Sequence, residues 1–192
     1  MNRLLLSAAV AAAALVPATA GAQSLSPAVI AIVDLDRVTA ECNACKTATA
    51  ALKSQVTSLQ SREKTLAAPL ETEQKSIQAA INALAGKAPD AALQNRVKAF
   101  ETKRQQAAQQ MSTQQQQIQR NQQYIQQQIS AKLGPVYQQI MQRRGANVMV
   151  ERGATLAATA SVDVTTDVVT ALNAALPSIA TTAPQSQQPQ GR

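Results

Sequence analysis

Leu52, Val56, Leu59, Glu63, Leu66, Leu70, Glu73, Ile77, Ala80 and Leu84 follow one another at steps that alternate four and three without a break. A second run, Leu93, Val97, Phe100, Arg104, Ala107, Met111, Gln114 and Ile118, keeps the same rhythm, with Ile125 one heptad further on. Apolar or small residues at this spacing form a narrow stripe along a helix, the seam of a coiled coil. Between the runs lies Gly86-Lys87-Ala88-Pro89-Asp90, which stops one helix and starts the next. The pattern predicts a helix that goes out, turns sharply and returns along itself. The outgoing helix, about Thr39 to Ala85, is expected to be roughly 70 Å long at 1.5 Å per residue.

Outside the hairpin, Val29-Ile30-Ala31-Ile32-Val33 is a β-branched run ending at Asp34 and reads as a buried strand. Asn147-Val148-Met149-Val150-Glu151 reads as a second strand, and Ala154 to Ala158 as a third. Asp163 to Leu176 is expected to form a closing amphipathic helix that Pro177 stops. The hairpin is therefore an insertion between strands that pair with each other. Two or three strands bury too little surface to stand alone, and the chain has one Phe, two Tyr and no Trp to compensate. The strands are expected to combine with those of identical neighbours into a closed sheet that leaves no exposed edge.

The ends read differently. Arg3, the apolar run Leu4 to Val16 and Ala20-Gly21-Ala22 have the layout of an export signal, with the mature chain starting at Gln23. The apolar run is too short for a stable membrane span. The mature chain of about 170 residues suits one domain. The segment from Pro177 to Arg192 is rich in Pro, Gln and Ser and is expected to be disordered. The organisation is thus signal 1–22, first strand 23–38, arm 39–146 with its turn near 86–90, remaining strands and closing helix 147–176, and tail 177–192.

The formal charge is +7, and it is unevenly spread. Between residues 75 and 120 lie Lys75, Lys87, Arg96, Lys98, Lys103, Arg104 and Arg120 against only Asp90 and Glu101. A solvated helix surface accounts for such a run; so does a field that draws acidic proteins or anionic lipid head groups. Nucleic acid is disfavoured, because no aromatics are interleaved for base stacking. If residues i and about 175−i face each other across the hairpin, Arg104 lies opposite Glu71 with Glu73 a turn away. A seam arginine is expected to reach one of these carboxylates, since a lone charge there is costly.

The chain has no histidine, which removes the triads and the acid–base chemistry that depend on one. No glycine-rich phosphate loop is present. Asp34 and Asp36, a close carboxylate pair, sit where they cap a helix or favour its dipole. Cys42-Asn43-Ala44-Cys45 cannot close a zinc site without further ligands, and it lacks the βαβ context of a thioredoxin-like motif. At the start of a helix the two cysteines are within disulfide reach; a local staple and a free, packed pair remain the two readings. No catalytic residue, cofactor or metal is expected. Pro69 and the pair Gly134-Pro135 are helix breakers inside the arm. Gly134 and Pro135 are expected to hinge the arm at its neck and Pro69 to bend it along its length.

Three features together resemble the Skp/OmpH family of periplasmic chaperones for outer-membrane proteins. They are the opening strand Ile30-Ala31-Ile32-Val33-Asp34, the long charged and Gln-rich hairpin, and the closing block from Asn147 through Ala154-Thr155-Leu156-Ala157-Ala158 to Val162–Val169. The likeness spans roughly residues 28 to 176. It implies an α+β fold in which a jellyfish-like homotrimer builds a small β-barrel body and extends three coiled-coil hairpins around an unfolded client. It also implies an ATP-independent holding function in the periplasm, with no catalytic residues. Lipopolysaccharide or another anionic lipid is a further partner it implies, though no residue here marks the site. The runs Gln114–Gln117 and Gln126–Gln128, the tail and the cysteine pair depart from the family's better-known members. The competing reading is a structural coiled-coil spacer of the cell envelope; the small, polar tip at Gly86–Asp90 favours the cage.

Overall fold

The computed structural model describes residues 26–184. The element order is β1 (Ile30–Val33), α1 (Leu35–Glu41), α2 (Asn43–Ala83), α3 (Ala91–Arg144), β2 (Val148–Glu151), two short 3-10 turns (Arg152–Ala154 and Ala160–Val162) and α4 (Thr165–Ala175). At 1.5 Å per residue, the 41 residues of α2 extend about 60 Å and the 54 of α3 about 80 Å. They lie antiparallel as one hairpin, which stands on a small base made of everything else.

The hairpin is the crossover between two parallel strands. β1 pairs with β2 in the register Ile30↔Val148, Ala31↔Met149, Ile32↔Val150 and Val33↔Glu151. Parallel strands need a long connection, and here the whole arm supplies it. Asn147 locks the entry: its carboxamide accepts from Val29 N–H (2.7 Å) and donates to the Pro27 carbonyl (2.8 Å). On the other side of β1, Ile32 makes an isolated parallel bridge to Asp163, and the Val164 N–H donates to the Ile32 carbonyl at 2.9 Å. The stretch expected to be a third strand, Ala154 to Ala158, is instead a 3-10 turn running into irregular chain. Its one large apolar side chain, Leu156, is fully exposed and finds nothing within the chain to pack on. Within one chain the sheet therefore has two strands and is open, not closed.

Helix starts follow the sequence signals. Asp34 caps α1, its carboxylate accepting from Arg37 N–H at 2.9 Å, with Asp36 in the first turn. Asp90 caps α3 in the same way through Leu93 N–H at 2.8 Å. The tip bends back through Ala85 and Gly86, both at positive φ (46° and 88°); Gly86 adopts it without a Cβ penalty. Gly145 (φ 65°) ends α3 in the left-handed cap conformation.

The outgoing helix starts earlier than the heptads require and is broken once. Cys42 is extended (ψ 121°), which ends α1 and begins α2. Two groups hold the break. The Cys42 sulfur accepts from the Cys45 N–H, and Asn173 on α4 accepts from the Asn43 N–H at 2.8 Å. The orphan donors at the start of α2 are thus capped from within the base. Cys42 and Cys45 are disulfide-bonded across this junction, Cα to Cα 5.2 Å.

The apolar core sits at the base and neck. Val38, Cys42, Cys45, Val136, Ile140, Val168 and Leu172 are at its centre, with Ile125 and Ile129 leading into the arm. Further out, Ile77 and Leu93 are the buried apolar residues and Asn121 is a buried amide; the other described seam residues are half-buried or exposed. Val56 is 39 % exposed, and the neighbouring Gln55 turns inward in its place. The segment after Pro177 is a second departure: residues 177–184 lie along the neck of the hairpin, held by hydrogen bonds to α2 and α3. The expected signal at 1–22 and the tail beyond 184 lie outside the described residues.

Candidate functional site

Among the described residues, no cluster of His, Cys, Asp and Glu could hold a metal ion. No described helix is long and apolar enough to cross a membrane. What remains is the arm, and its chemistry is charge, amide groups and thin apolar seams.

Three of the seven basic residues singled out are neutralised locally. Lys75 pairs with Glu71 one turn back on α2 (2.6 Å). Arg96 crosses the hairpin: its Nε and Nη2 donate to the Glu73 carboxylate at 2.7 and 3.1 Å, and Nη2 reaches Ser76 Oγ at 2.7 Å. Those hydrogen bonds hold the Glu73 carboxyl below the ordinary glutamate range, against some desolvation. Arg104 does not reach Glu71 or Glu73. It pairs with Glu101 on its own helix at 2.7 Å and faces solvent. The facing register matches expectation at the neck, where Gln55 meets Asn121, and drifts toward the tip, where Arg62 meets Gln110 and Glu73 meets Arg96. Both the outer register and the side-chain choice therefore differ: Arg96 takes Glu73, and an exposed i,i+3 pair costs Arg104 no desolvation. Lys87, Lys98 and Lys103 carry no ion pair among the described residues and are exposed. Arg120 is half-buried; its Nη2 donates to Gln117 Oε1 at 2.5 Å, while its Nε is buried without a partner. The cationic face is therefore narrower than the residue count, because Glu71 and Glu73 sit just outside the window that was counted.

The seam is loosely filled. Around Pro69 an open cleft of about 400 Å³ is lined by Leu66, Leu70, Lys103, Gln106 and Ala107. Nearer the tip, Ile81, Pro89, Leu93 and Val97 line another of about 300 Å³. α2 runs through Pro69 and α3 through Gly134 and Pro135 without interruption. A Cβ at Gly134 would meet nothing within 4 Å, so this glycine is not there for space.

One group of residues escaped the sequence reading. Gln55, Gln117, Asn121 and Gln128 converge on the inner side of the neck and hydrogen-bond the main chain of residues 180–183. Asn121 is 3 % exposed, the most deeply buried amide in the molecule. The signal was present as Gln114, Asn121 and Gln128 at heptad spacing, interrupting an otherwise apolar seam.

With this geometry in view, the relatives can be placed. The family described as outer membrane protein (OmpH-like) matches residues 29–172, from the first residue before β1 into α4. The chain belongs to the OmpH-like family. The match begins and ends with the base, so the OmpH-like unit is the base and arm together, and residues 177–184 lie beyond it. Among solved structures, a crystal structure of a candidate outer membrane chaperone (OmpH-like) from Caulobacter crescentus CB15 is similar at TM-score 0.69 and 19 % identity, covering 86 % of this chain and 96 % of that one. At that identity the likeness concerns the fold. No curated protein matches by sequence.

Proposed function

We propose that this OmpH-like chain is a periplasmic, ATP-independent holding chaperone that keeps unfolded outer-membrane proteins soluble between helical arms. The observation that carries the reading is the contrast between base and arm. The base and the neck of the hairpin hold most of the buried apolar side chains, whereas the arm beyond them is long, thinly packed and walled with amides and half-buried Leu, Met and Ile. An arm that its own core does not need is built for reach. Weak contact at many points suits holding, because tight contact at few points prevents release.

The arm needs neighbours to enclose anything. Val29, Ile30 and Val148 are 39–49 % exposed on the sheet and Leu156 is fully exposed beside it. The outer edge of β2 is unpaired in the single chain. Exposed apolar strand edges of this kind call for partners, and a closed trimer that completes a β-barrel body supplies them. The unpaired Lys87, Lys98 and Lys103 would speed encounter with acidic clients. Nothing in the geometry favours catalysis. A stiff envelope spacer remains the second reading, favoured by the length of the arm alone.

The test is direct. The chain starting at Gln23 is purified, its mass in solution measured, and its effect on a urea-denatured β-barrel protein followed by light scattering after dilution. A trimer that suppresses aggregation at stoichiometric amounts is expected. A monomer without that effect overturns the reading, and a trimer without it leaves the spacer.

A further inference from the structure

Residues 177–184 are bound in a particular way. Gln128 grips one residue by both of its main-chain groups: its Oε1 accepts from Ala180 N–H (3.0 Å) and its Nε2 donates to the Ala180 carbonyl (2.9 Å). Gln55 Nε2 donates to the Thr181 carbonyl (3.1 Å). Asn121 Oδ1 accepts from Ala183 N–H (2.8 Å), and Gln117 Nε2 donates to the Ala183 carbonyl (3.2 Å). All five groups read are main chain; no side chain of the segment is hydrogen-bonded to the ladder. Three of the amides are also tied together, Asn121 to Gln55 and Gln117 (2.8 Å each), with Gln117 further bound by Arg120, and Gln128 Nε2 also donates to the Tyr124 carbonyl (3.1 Å), so each is held at a set orientation.

The spacing is regular on both sides. Asn121 and Gln128 are seven residues, two turns, apart on α3, about 10.5 Å; they take Ala183 and Ala180, three residues apart in an irregular segment that bends at Thr182. A heptad stripe of amides therefore meets non-helical chain at residues three apart. The stripe continues toward the tip to Gln114, and there the groove opens into a cleft of about 380 Å³ with Ser58, Leu59 and Ile118 in its walls and Thr182 at its near end. Only Ile179 and Ala183 add apolar contact.

We propose that this ladder is a sequence-independent binding groove for non-helical polypeptide, that residues 177–184 are its resident occupant, and that an unfolded client displaces them. The tail is then a built-in competitor that keeps the groove covered until a client arrives. This deepens the chaperone reading and rests on it only for who the client is. A groove that reads N–H and C=O groups accepts any unfolded chain, which also explains why the occupying segment is built of small residues.

The experiment uses the chain from Gln23 and a permanently unfolded probe, reduced and carboxymethylated α-lactalbumin, so that it does not depend on β-barrel clients. Hydrogen exchange of segment 177–184 is followed by mass spectrometry with and without saturating probe. Slow exchange alone and fast exchange with the probe are expected. In the full chain, Ala180→Pro with Ala183→Pro removes the two N–H donors while leaving small side chains. It should release the segment and tighten probe binding about tenfold, given a strap worth one or two net hydrogen bonds. A chain ending at Leu176, checked for native helix content, should do the same. Adding Gln128→Leu to that truncation should reverse most of the gain. Fast exchange in the absence of probe, protection that persists at saturation, or unchanged affinity in both released variants each overturns the proposal. If these results hold while β-barrel aggregation is not suppressed, the groove stands and the outer-membrane client is wrong.

Discussion

Replacing Leu172 by Ala tests whether stability is concentrated at the base. Leu172 is wholly buried on α4, with Val168 and Leu176, also buried, one turn away on the same face. Its side chain packs in the cluster that joins α4 to Val38, Ile140 and the Cys42–Cys45 junction. Truncating a fully buried leucine costs about 3–5 kcal/mol, transfer and cavity together. Leu66 in the arm is only half-buried beside the Pro69 cleft. Its neighbours already leave open space, so Leu66→Ala loses area without making a closed cavity and costs about 1 kcal/mol. The assay is urea unfolding followed by helix content at one fixed protein concentration, paired with hydrogen exchange along α2. Leu172→Ala should lower the unfolding midpoint and speed exchange throughout. Leu66→Ala should speed exchange only around itself, because thinly packed regions open locally. Equal midpoint shifts for the two variants would refute the division into a stable base and a marginal arm.

Other expectations follow from single contacts. Labelling the denatured chain with a thiol reagent, without reductant, should leave Cys42 and Cys45 unmodified. Changing both to Ala should cost about 2 kcal/mol for so short a loop, and equal stability with and without reductant would count against a staple. The Glu73 carboxyl is held low by Arg96, so its contribution is present above the ordinary value of 4.5 and is lost as pH falls through its depressed folded value. Protection factors in the distal arm, corrected for the intrinsic pH dependence of amide exchange, should therefore fall at acid pH in the native chain but respond less in Glu73→Gln. Lys87, Lys98 and Lys103 replaced together by Gln should slow client capture at low salt and not at high salt, whereas Arg104→Gln, already paired with Glu101, should change little. In the proposed trimer, Gly134→Ala with Pro135→Ala should narrow the spread of spin-label distances between arm tips; an equally broad distribution places the hinge elsewhere.

The arm was legible because its information is local and repeated. Seven-residue spacing, Asp90 as a cap and Gly86 at the turn each act over one or two turns of helix, and the two strands and their flanking order follow from short β-branched runs. The facing register was legible only at the neck, where Gln55 meets Asn121; toward the tip it drifts, with Glu73 meeting Arg96. Partner choice across the hairpin was not legible. Arg104 and Arg96 both lie within reach of α2 in sequence, and only rotamer geometry and solvent access decide that Arg96 takes Glu73 while Arg104 stays with Glu101. The break at Cys42 depends on Asn173, 130 residues away. The third strand is absent because Leu156, the one large apolar residue of Ala154–Ala158, has nothing in the single chain to pack against. The tail misled most: composition reports a segment too polar to form its own core, and that is correct, but residues 177–184 do not need one. Their order comes from main-chain groups satisfied by Gln55, Gln117, Asn121 and Gln128, and a backbone bond to a distant amide leaves no mark on the sequence of the segment it holds.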